Sequence, residues 1–230
     1  MAAQPIAPNP VPQVRTAPVD RRAQRRDAKR AQILAAAWTL AHRDGLAGIS
    51  LRELADMVEL RQPSLYAYFE SKHDLYDAMF AEGNQQLLDL VAATELSPDA
   101  RVAATEMVHL FVQFATDDIV RHQLLFHRPI PGFEPSPASY ALAVEFFEST
   151  RARLVTAGVT DPEDFDVFTA LVAGLADQQV ANDPGGDRWV RHSARVVDMF
   201  FGDIDRRRRA ARKATSKRSG TTSYGRGESS

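Results

Sequence analysis

The chain has 230 residues, of which 44% are hydrophobic and 25% are charged, enough apolar content for a sizeable core built as two coupled units. It contains no cysteine, which excludes a disulfide framework, a thiolate nucleophile and a cysteine metal site, and which suits a cytoplasmic location. The net charge of −2 divides into +4 for residues 1–72, −12 for residues 73–202 and +6 for residues 203–230. Basic ends on an acidic body favour a protein that presents one end to a polyanion, although solubility alone would explain the acidic body.

The N-terminal segment, residues 1–20, contains five prolines and no apolar run. This pattern predicts a disordered extension and argues against a secretory signal. No apolar run in the chain approaches the length of a membrane span, so we expect no membrane partner.

A first helix is predicted from the basic residues 21–30 through the alanine-rich residues 31–41. Its apolar side chains recur at helical spacing, and Gly45 is the expected left-handed stop. The helix therefore has a strongly basic start and an amphipathic second half.

Residues 50–72 have the pattern of two short helices joined by a tight turn. Ser50 and Glu53 form a capping box, in which each side chain satisfies a free backbone donor at a helix start. Pro63 suits the first turn of the second helix because its φ is preset, and this helix is predicted to run to about Phe69.

A third start follows at Ser71, whose side chain caps the next helix. Lys72 lies in the first turn of that helix, and a helix N-terminus with a lysine attracts phosphate. The second helix leaves several polar side chains uncommitted to burial, as expected of a helix that reads base edges. The predicted DNA contacts in this segment are Ser50, Arg52, Arg61, Gln62, Pro63, Ser64, Tyr66, Tyr68 and Lys72.

The string Leu-Tyr-Ala-Tyr-Phe-Glu-Ser-Lys at residues 65–72 resembles the signature that ends the helix-turn-helix of TetR-type bacterial transcriptional regulators. The resemblance covers roughly residues 28 to 75 and includes the capping box and the turn spacing. Two departures are Glu59, where the family usually has glycine, and Arg61, where it usually has a small residue.

The resemblance implies an all-α fold of about nine helices. A three-helix helix-turn-helix DNA-binding domain at residues 21–75 would precede a helical bundle for effector binding and dimerisation at residues 76–202. It also implies that the basic start of the first helix lies near the DNA backbone or minor groove. We expect phosphate contacts from Arg25, Arg26 and Lys29, the alternative being a solvated arm with no fixed contact.

Six further helices are predicted between residues 73 and 201, with breaks at proline- and glycine-rich segments and no convincing strand. The resemblance assigns dimerisation mainly to the last two, at residues 161–182 and 188–201. Their apolar side chains could close a four-helix interface with a second copy, or could be buried within the monomer. The predicted interface residues are Phe168, Leu171, Val172, Leu175, Val196, Met199 and Phe200.

Candidate effector contacts are polar residues that interrupt apolar helical stretches, together with two phenylalanines. Each could equally be an ordinary core or surface residue. The aromatic content favours a largely apolar ligand, such as a fatty-acyl or other lipophilic metabolite. The candidates are His109, Gln113, Phe126, His127, Tyr140, Phe147, Asp177 and Gln178.

An enzyme is not expected from the pattern of chemistry-bearing residues. None of the six histidines has a recognised metal-ligand spacing, and His122 and His127, five apart, lie on different faces of a helix. The chain also lacks a nucleophile elbow and a phosphate-binding loop. We therefore predict no catalytic residue, no metal and no cofactor.

The C-terminal segment, residues 203–230, is basic and then rich in serine and glycine, which predicts a disordered tail. It could act as a non-specific DNA tether or simply as a solubilising appendage.

Taken with the resemblance, these patterns predict a homodimeric, sequence-specific transcription regulator that binds a palindromic double-stranded DNA operator. A repressor released by a small lipophilic effector is the favoured form. An effector-independent regulator or architectural protein is the alternative, and a helical ligand-binding or enzymatic protein that kept the fold is a third class.

Overall fold

A computed structural model describes residues 20–221 of the chain. Residues 1–19, which hold most of the predicted disordered extension, and residues 222–230 of the predicted tail lie outside the described residues. Residues 20–221 form nine α-helices and two short 3-10 helices and contain no strand, so the predicted all-α fold is confirmed. The α-helices are α1 Arg21–Asp44, α2 Leu51–Met57, α3 Gln62–Leu65, α4 Lys72–Ala93, α5 Ala100–Asp117, α6 Ile119–Phe126, α7 Pro137–Thr156, α8 Pro162–Asn182 and α9 Ser193–Thr221.

The predicted caps of α2 and α4 are confirmed. Ser50 Oγ accepts from the backbone N–H of Glu53 at 3.4 Å, and Ser71 Oγ accepts from the N–H of Asp74 at 3.0 Å. Each bond satisfies a donor that the first turn of a helix leaves free. Gly45 ends α1 with the positive φ that its position predicted, 77°, but its ψ of 163° lies outside the left-handed helical region.

Helix α3 is shorter than predicted, because it ends at Leu65 and not near Phe69. The carbonyls of Ala67 and Tyr68 accept from the guanidinium groups of Arg26 and Arg30 on α1. The two arginine side chains thus donate the hydrogen bonds that backbone N–H groups would donate if the helix continued for another turn.

Helix α9 is longer than predicted, since it continues through Thr221 where the sequence indicated an end near residue 201. Residues 203–221 are therefore helical, and the prediction of a disordered tail is wrong for them. Ile204 is buried at 3% exposure, and Arg207 pairs with Asp164 of α8. Arg208 donates to the carbonyl of Gly158, so part of the basic run holds α9 on its neighbours.

Helix α4 contributes side chains to two of the three hydrophobic clusters formed by residues 20–221. Its first half contributes Leu75 and Met79 to a core built mainly from α1, α2 and α3. Its second half contributes Leu87 and Val91 to a cluster that includes residues of α5 and α7. A third cluster joins α5, α8 and α9. The predicted boundary at residue 75 lies within a continuous helix, so the domain limits remain a sequence-based prediction.

The turn between α2 and α3 is built around Glu59, which takes a φ of 55°. The N–H of Leu60 donates to Ala55 O at 2.9 Å, and the N–H of Glu59 donates to Asp56 O at 3.2 Å. These two bonds form a Schellman motif, in which the left-handed position is usually glycine. Glu59 has a Cβ atom, which comes close to the following carbonyl oxygen in the left-handed conformation, so the backbone of this turn is strained.

Replacing Glu59 with glycine should raise the free energy of unfolding by about 1 kcal/mol, because the left-handed strain exceeds the added entropy of the unfolded chain. Urea unfolding followed by circular dichroism measures the change. Glu70→Gly, at an exposed position without positive φ, is the control and should lower stability slightly. An equal fall in both variants would show that Glu59 is not strained.

Candidate nucleic-acid interface

Helices α2 and α3 present a polar surface on the outside of the first core. Leu54 and Leu65 are buried at 1% and 3% exposure and anchor the two helices. The opposite side chains, Arg52, Gln62 and Ser64, are exposed. Tyr66 is 48% exposed although it is a large aromatic residue, so the surface offers both hydrogen-bonding groups and an aromatic ring.

The basic start of α1 supports this pair of helices. Lys29 Nζ donates to Val58 O at 2.8 Å, where α2 ends, and Arg30 donates to Tyr68 O at 2.6 Å after α3. Arg30 also lies over the ring of Phe69 at 4.2 Å. A cation near the last carbonyls of a helix is favoured by the helix dipole. Lys29, predicted to contact phosphate, therefore has a partner inside the protein.

Arg30 was missed by the sequence prediction. It lies four residues after Arg26 and so on the same face of α1, a spacing that could have identified it. Arg26 donates to Ala67 O at 3.3 Å and remains exposed. The two arginines thus align α1 with the turn that follows α3.

A shallow groove runs between the start of α1 and this turn. Four arginines line it against two aspartates, so the groove is basic. Arginine forks suit phosphate oxygens, and the groove reaches Ala67 and Tyr68 just after α3. The charged lining residues are Arg22, Arg25, Arg26, Arg30, Asp20 and Asp27.

Lys72 and Tyr76 attach the start of α4 to the loop after α1. Lys72 Nζ donates to Ala47 O at 3.1 Å, and the Tyr76 hydroxyl donates to Leu46 O at 2.6 Å. Burial lowers the pKa of Lys72 and raises the pKa of Tyr76. Lys72, predicted as a phosphate clamp, is half-buried and makes a contact within the protein.

The remaining predicted DNA contacts differ in exposure. Ser50 is exposed, but its Oγ caps α2. Tyr68 is half-buried, whereas Arg25, Arg61 and Pro63 are exposed.

An apolar cavity lies in the bundle among α4, α5, α7 and α8. The empty space between its walls, including the part that is open to solvent, is about 670 Å³. Two predicted effector residues, Phe126 and Phe147, line it. Four others are exposed and lie outside it: His109, Gln113, Tyr140 and Gln178. They interrupt apolar stretches because they face solvent.

His127 and Asp177 contact a third residue, His122, which the sequence did not indicate as an effector contact. His122 Nε2 lies 3.1 Å from Asp177 Oδ1 and 3.2 Å from His127 Nε2. The sequence placed the two histidines on different faces of one helix, but α6 ends at Phe126 and His127 leaves the helical path with a φ of −116°. Burial lowers the pKa of His122.

The outer face of α8 and α9 carries exposed apolar side chains. Leu171 is 40% exposed and Met199 is 63% exposed, with Val167, 52% exposed, beside them. Of the predicted interface residues, Val196 also borders this face, whereas Val172 lines the cavity. Phe168, Leu175 and Phe200 are buried within the protomer, as the alternative interpretation of these helices allowed, although Phe200 also borders this face.

Comparisons with known proteins agree with this architecture. Residues 33–79 match the family model for bacterial regulatory proteins of the tetR family. No curated protein sequence matches the chain. Within residues 20–221, no helix has both the length and the apolar character to cross a membrane.

Many solved structures share the fold. The multidrug binding protein EbrR, complexed with imidazole, is 23% identical with a TM-score of 0.58, over 83% of this chain and 96% of that chain. The regulator FadR from Bacillus subtilis, in complex with stearoyl-CoA, is 14% identical with a TM-score of 0.57, over 74% and 96%. The TetR family regulator PfmR from Thermus thermophilus is 19% identical with a TM-score of 0.54, over 73% and 96%. At such identities the likeness shows the fold alone.

The capped helix pair, the basic support from α1 and the family match together define a helix-turn-helix DNA-binding domain. Residues 33–79 thus carry the DNA-binding domain of the tetR family of bacterial regulatory proteins.

Arg52→Ala should reduce discrimination between the preferred operator and a mismatched site by about 1–3 kcal/mol, because a guanidinium reads guanine through two hydrogen bonds.

Arg25→Ala should weaken binding to all sequences alike and lower the salt slope by about 1. Fluorescence anisotropy with DNA selected from a random pool measures both at fixed salt. Arg151→Ala, exposed on α7, is the control. Equal losses on operator and mismatched DNA would show that Arg52 contacts phosphate and not a base.

Proposed function

We propose that the protein is a homodimeric repressor that an apolar small molecule releases from a palindromic operator. The observation that carries this proposal is the position of α4. One end of this helix contacts the DNA-binding domain through Lys72 and Tyr76, and the other end contributes Leu87 and Val91 to the apolar cavity.

The length of α4 supports a mechanical link between the two sites. Its 22 residues extend over about 33 Å as a single helix. A regular helix transmits displacement along its axis because each turn is hydrogen-bonded to the next. A ligand that pushes on Leu87 or Val91 would move Lys72 and with it the loop at Ala47.

The chemistry of the cavity defines the proposed ligand class. Its lining residues include five phenylalanines and no charged side chain. The two threonines, Thr150 and Thr169, donate their hydroxyl protons to carbonyls of their own helices, Phe146 O and Phe165 O. A ligand inside therefore gains chiefly from apolar burial, which favours an acyl chain or another lipophilic group. The stearoyl-CoA of the similar FadR structure supports this class.

The exposed face of α8 and α9 supports dimerisation. Large apolar side chains that stay exposed in a protomer commonly mark a contact surface. A two-fold dimer through this face would hold two DNA-binding domains on a palindrome, and half-site pairing supplies the specificity that a single short α3 lacks.

Ala173→Phe should abolish the effect of an acyl ligand on operator affinity while leaving operator binding intact, because the new ring fills the cavity mouth from an exposed position. Anisotropy titrations with and without palmitoyl-CoA measure the effect. Ala152→Phe, exposed on α7 away from the lining, is the matched control. If neither acyl-CoA esters nor other lipophilic compounds change the operator affinity of the unaltered protein, the effector-independent regulator is the better description.

Leu171→Glu should convert the dimer to a monomer and weaken operator binding at least about 100-fold, since it places a charge in an apolar contact and removes the paired half-site. Sedimentation velocity measures the mass, and anisotropy measures the affinity. Val102→Glu is the matched control, because Val102 is a similarly exposed apolar residue on α5. A dimer that survives in Leu171→Glu would contradict the assignment of this face.

A further inference from the structure

Three side chains with lone pairs converge where α6 ends beside α8. His122 Nε2, His127 Nε2 and Asp177 Oδ1 form a triangle with sides of 3.0, 3.1 and 3.2 Å. They come from two separate elements, since Asp177 lies on α8, so the convergence is a product of tertiary packing and not of a local turn.

The triangle has the size of one face of a metal coordination shell. Bonds of about 2.1 Å to a metal place neighbouring ligand atoms about 3.4 Å apart in a tetrahedron and about 3.0 Å apart in an octahedron. The observed separations lie within this interval. A point about 2.1 Å from all three atoms exists above a triangle of this size.

A hydrogen-bonded cluster without a metal ion explains the arrangement less well than a metal site does. Both histidines direct Nε2 at the same carboxylate oxygen and also at each other. If both nitrogens donated to Asp177, two N–H groups would crowd together across 3.2 Å. Replacing these protons with one cation satisfies all three lone pairs at once.

The rigid member of the cluster is His122, which is 2% exposed. Its ring packs against Phe111 and Phe126 at centroid distances of 6.2 and 5.2 Å. Its Nδ1 has no partner among the described residues, so the bonds of the ring are made at Nε2. This packing fixes the direction in which the Nε2 lone pair points.

The other two members face solvent. The side chains of His127 and Asp177 are 41% and 44% exposed. An ion can therefore enter from solvent, and water can complete its coordination shell. The arrangement has one buried ligand and two accessible ones.

We propose that His122, His127 and Asp177 bind one divalent transition-metal ion of the zinc class, which joins the end of α6 to α8. Two imidazole nitrogens and a carboxylate oxygen are a ligand set that suits Zn²⁺ and its neighbours Ni²⁺ and Co²⁺. None of the three residues lines the apolar cavity, although Phe111 and Phe126 border both the cavity and His122. At its other end α6 is linked to α1, where His42 Nε2 lies 2.9 Å from Asp118.

Calorimetric titration of the full, tag-free chain with ZnCl₂ in metal-depleted buffer tests the proposal. We expect one ion per chain, and a rise in melting temperature because the ion binds only the folded arrangement. His127→Ala and Asp177→Asn should each weaken binding by about 100-fold, since each removes a direct ligand. Both side chains are more than 40% exposed, so the variants should fold, and circular dichroism checks this.

His109→Ala is the matched control, because His109 is an exposed histidine of α5 outside the cluster. It should bind Zn²⁺ as tightly as the unaltered chain. The proposal is overturned if the unaltered chain shows no saturable site. It is equally overturned if folded His127→Ala and Asp177→Asn bind with unchanged affinity, which would leave the three residues as a hydrogen-bonded cluster only.

Discussion

The continuity of α4 is the constraint on which the rest of the structure depends. Leu75 packs in the core under the DNA-binding helices, and Leu87 packs in the bundle, yet both lie on one regular helix. Tyr76 fixes the start of this helix through its buried bond to Leu46 O. One continuous hydrogen-bonded helix therefore joins the DNA-binding domain to the cavity.

The positive charge at the start of α1 has a structural role as well as an electrostatic one. Carbonyls at the ends of α2 and α3 need partners, and Lys29 and Arg30 supply them. Helix α3 is too short to be stable by itself, so these contacts and buried Leu65 determine its orientation. The same cations keep a positive potential beside the polar face of α3, where a polyanion would approach.

Sequence prediction identified the features whose signal is local, whereas features that depend on distant residues became visible only in the structure. The caps at Ser50 and Ser71 involve bonds within three residues, and both were found. The effector candidates were chosen as polar interruptions, a criterion that selects solvent-facing residues such as Tyr140. The observed cavity is lined almost entirely by apolar side chains, which the sequence does not distinguish from ordinary core.

The sequence by itself determined the helical elements and the helix-turn-helix, because capping, proline placement and apolar periodicity act over a few residues, and the string at residues 65–72 carries the resemblance to a family. Only the tertiary structure showed that α9 continues past residue 201, where Arg207 pairs with Asp164 on another helix. It alone also brought His122, His127 and Asp177 together, across 55 residues of chain. Such convergence depends on how α6 packs against α8, and no spacing along the chain encodes that packing.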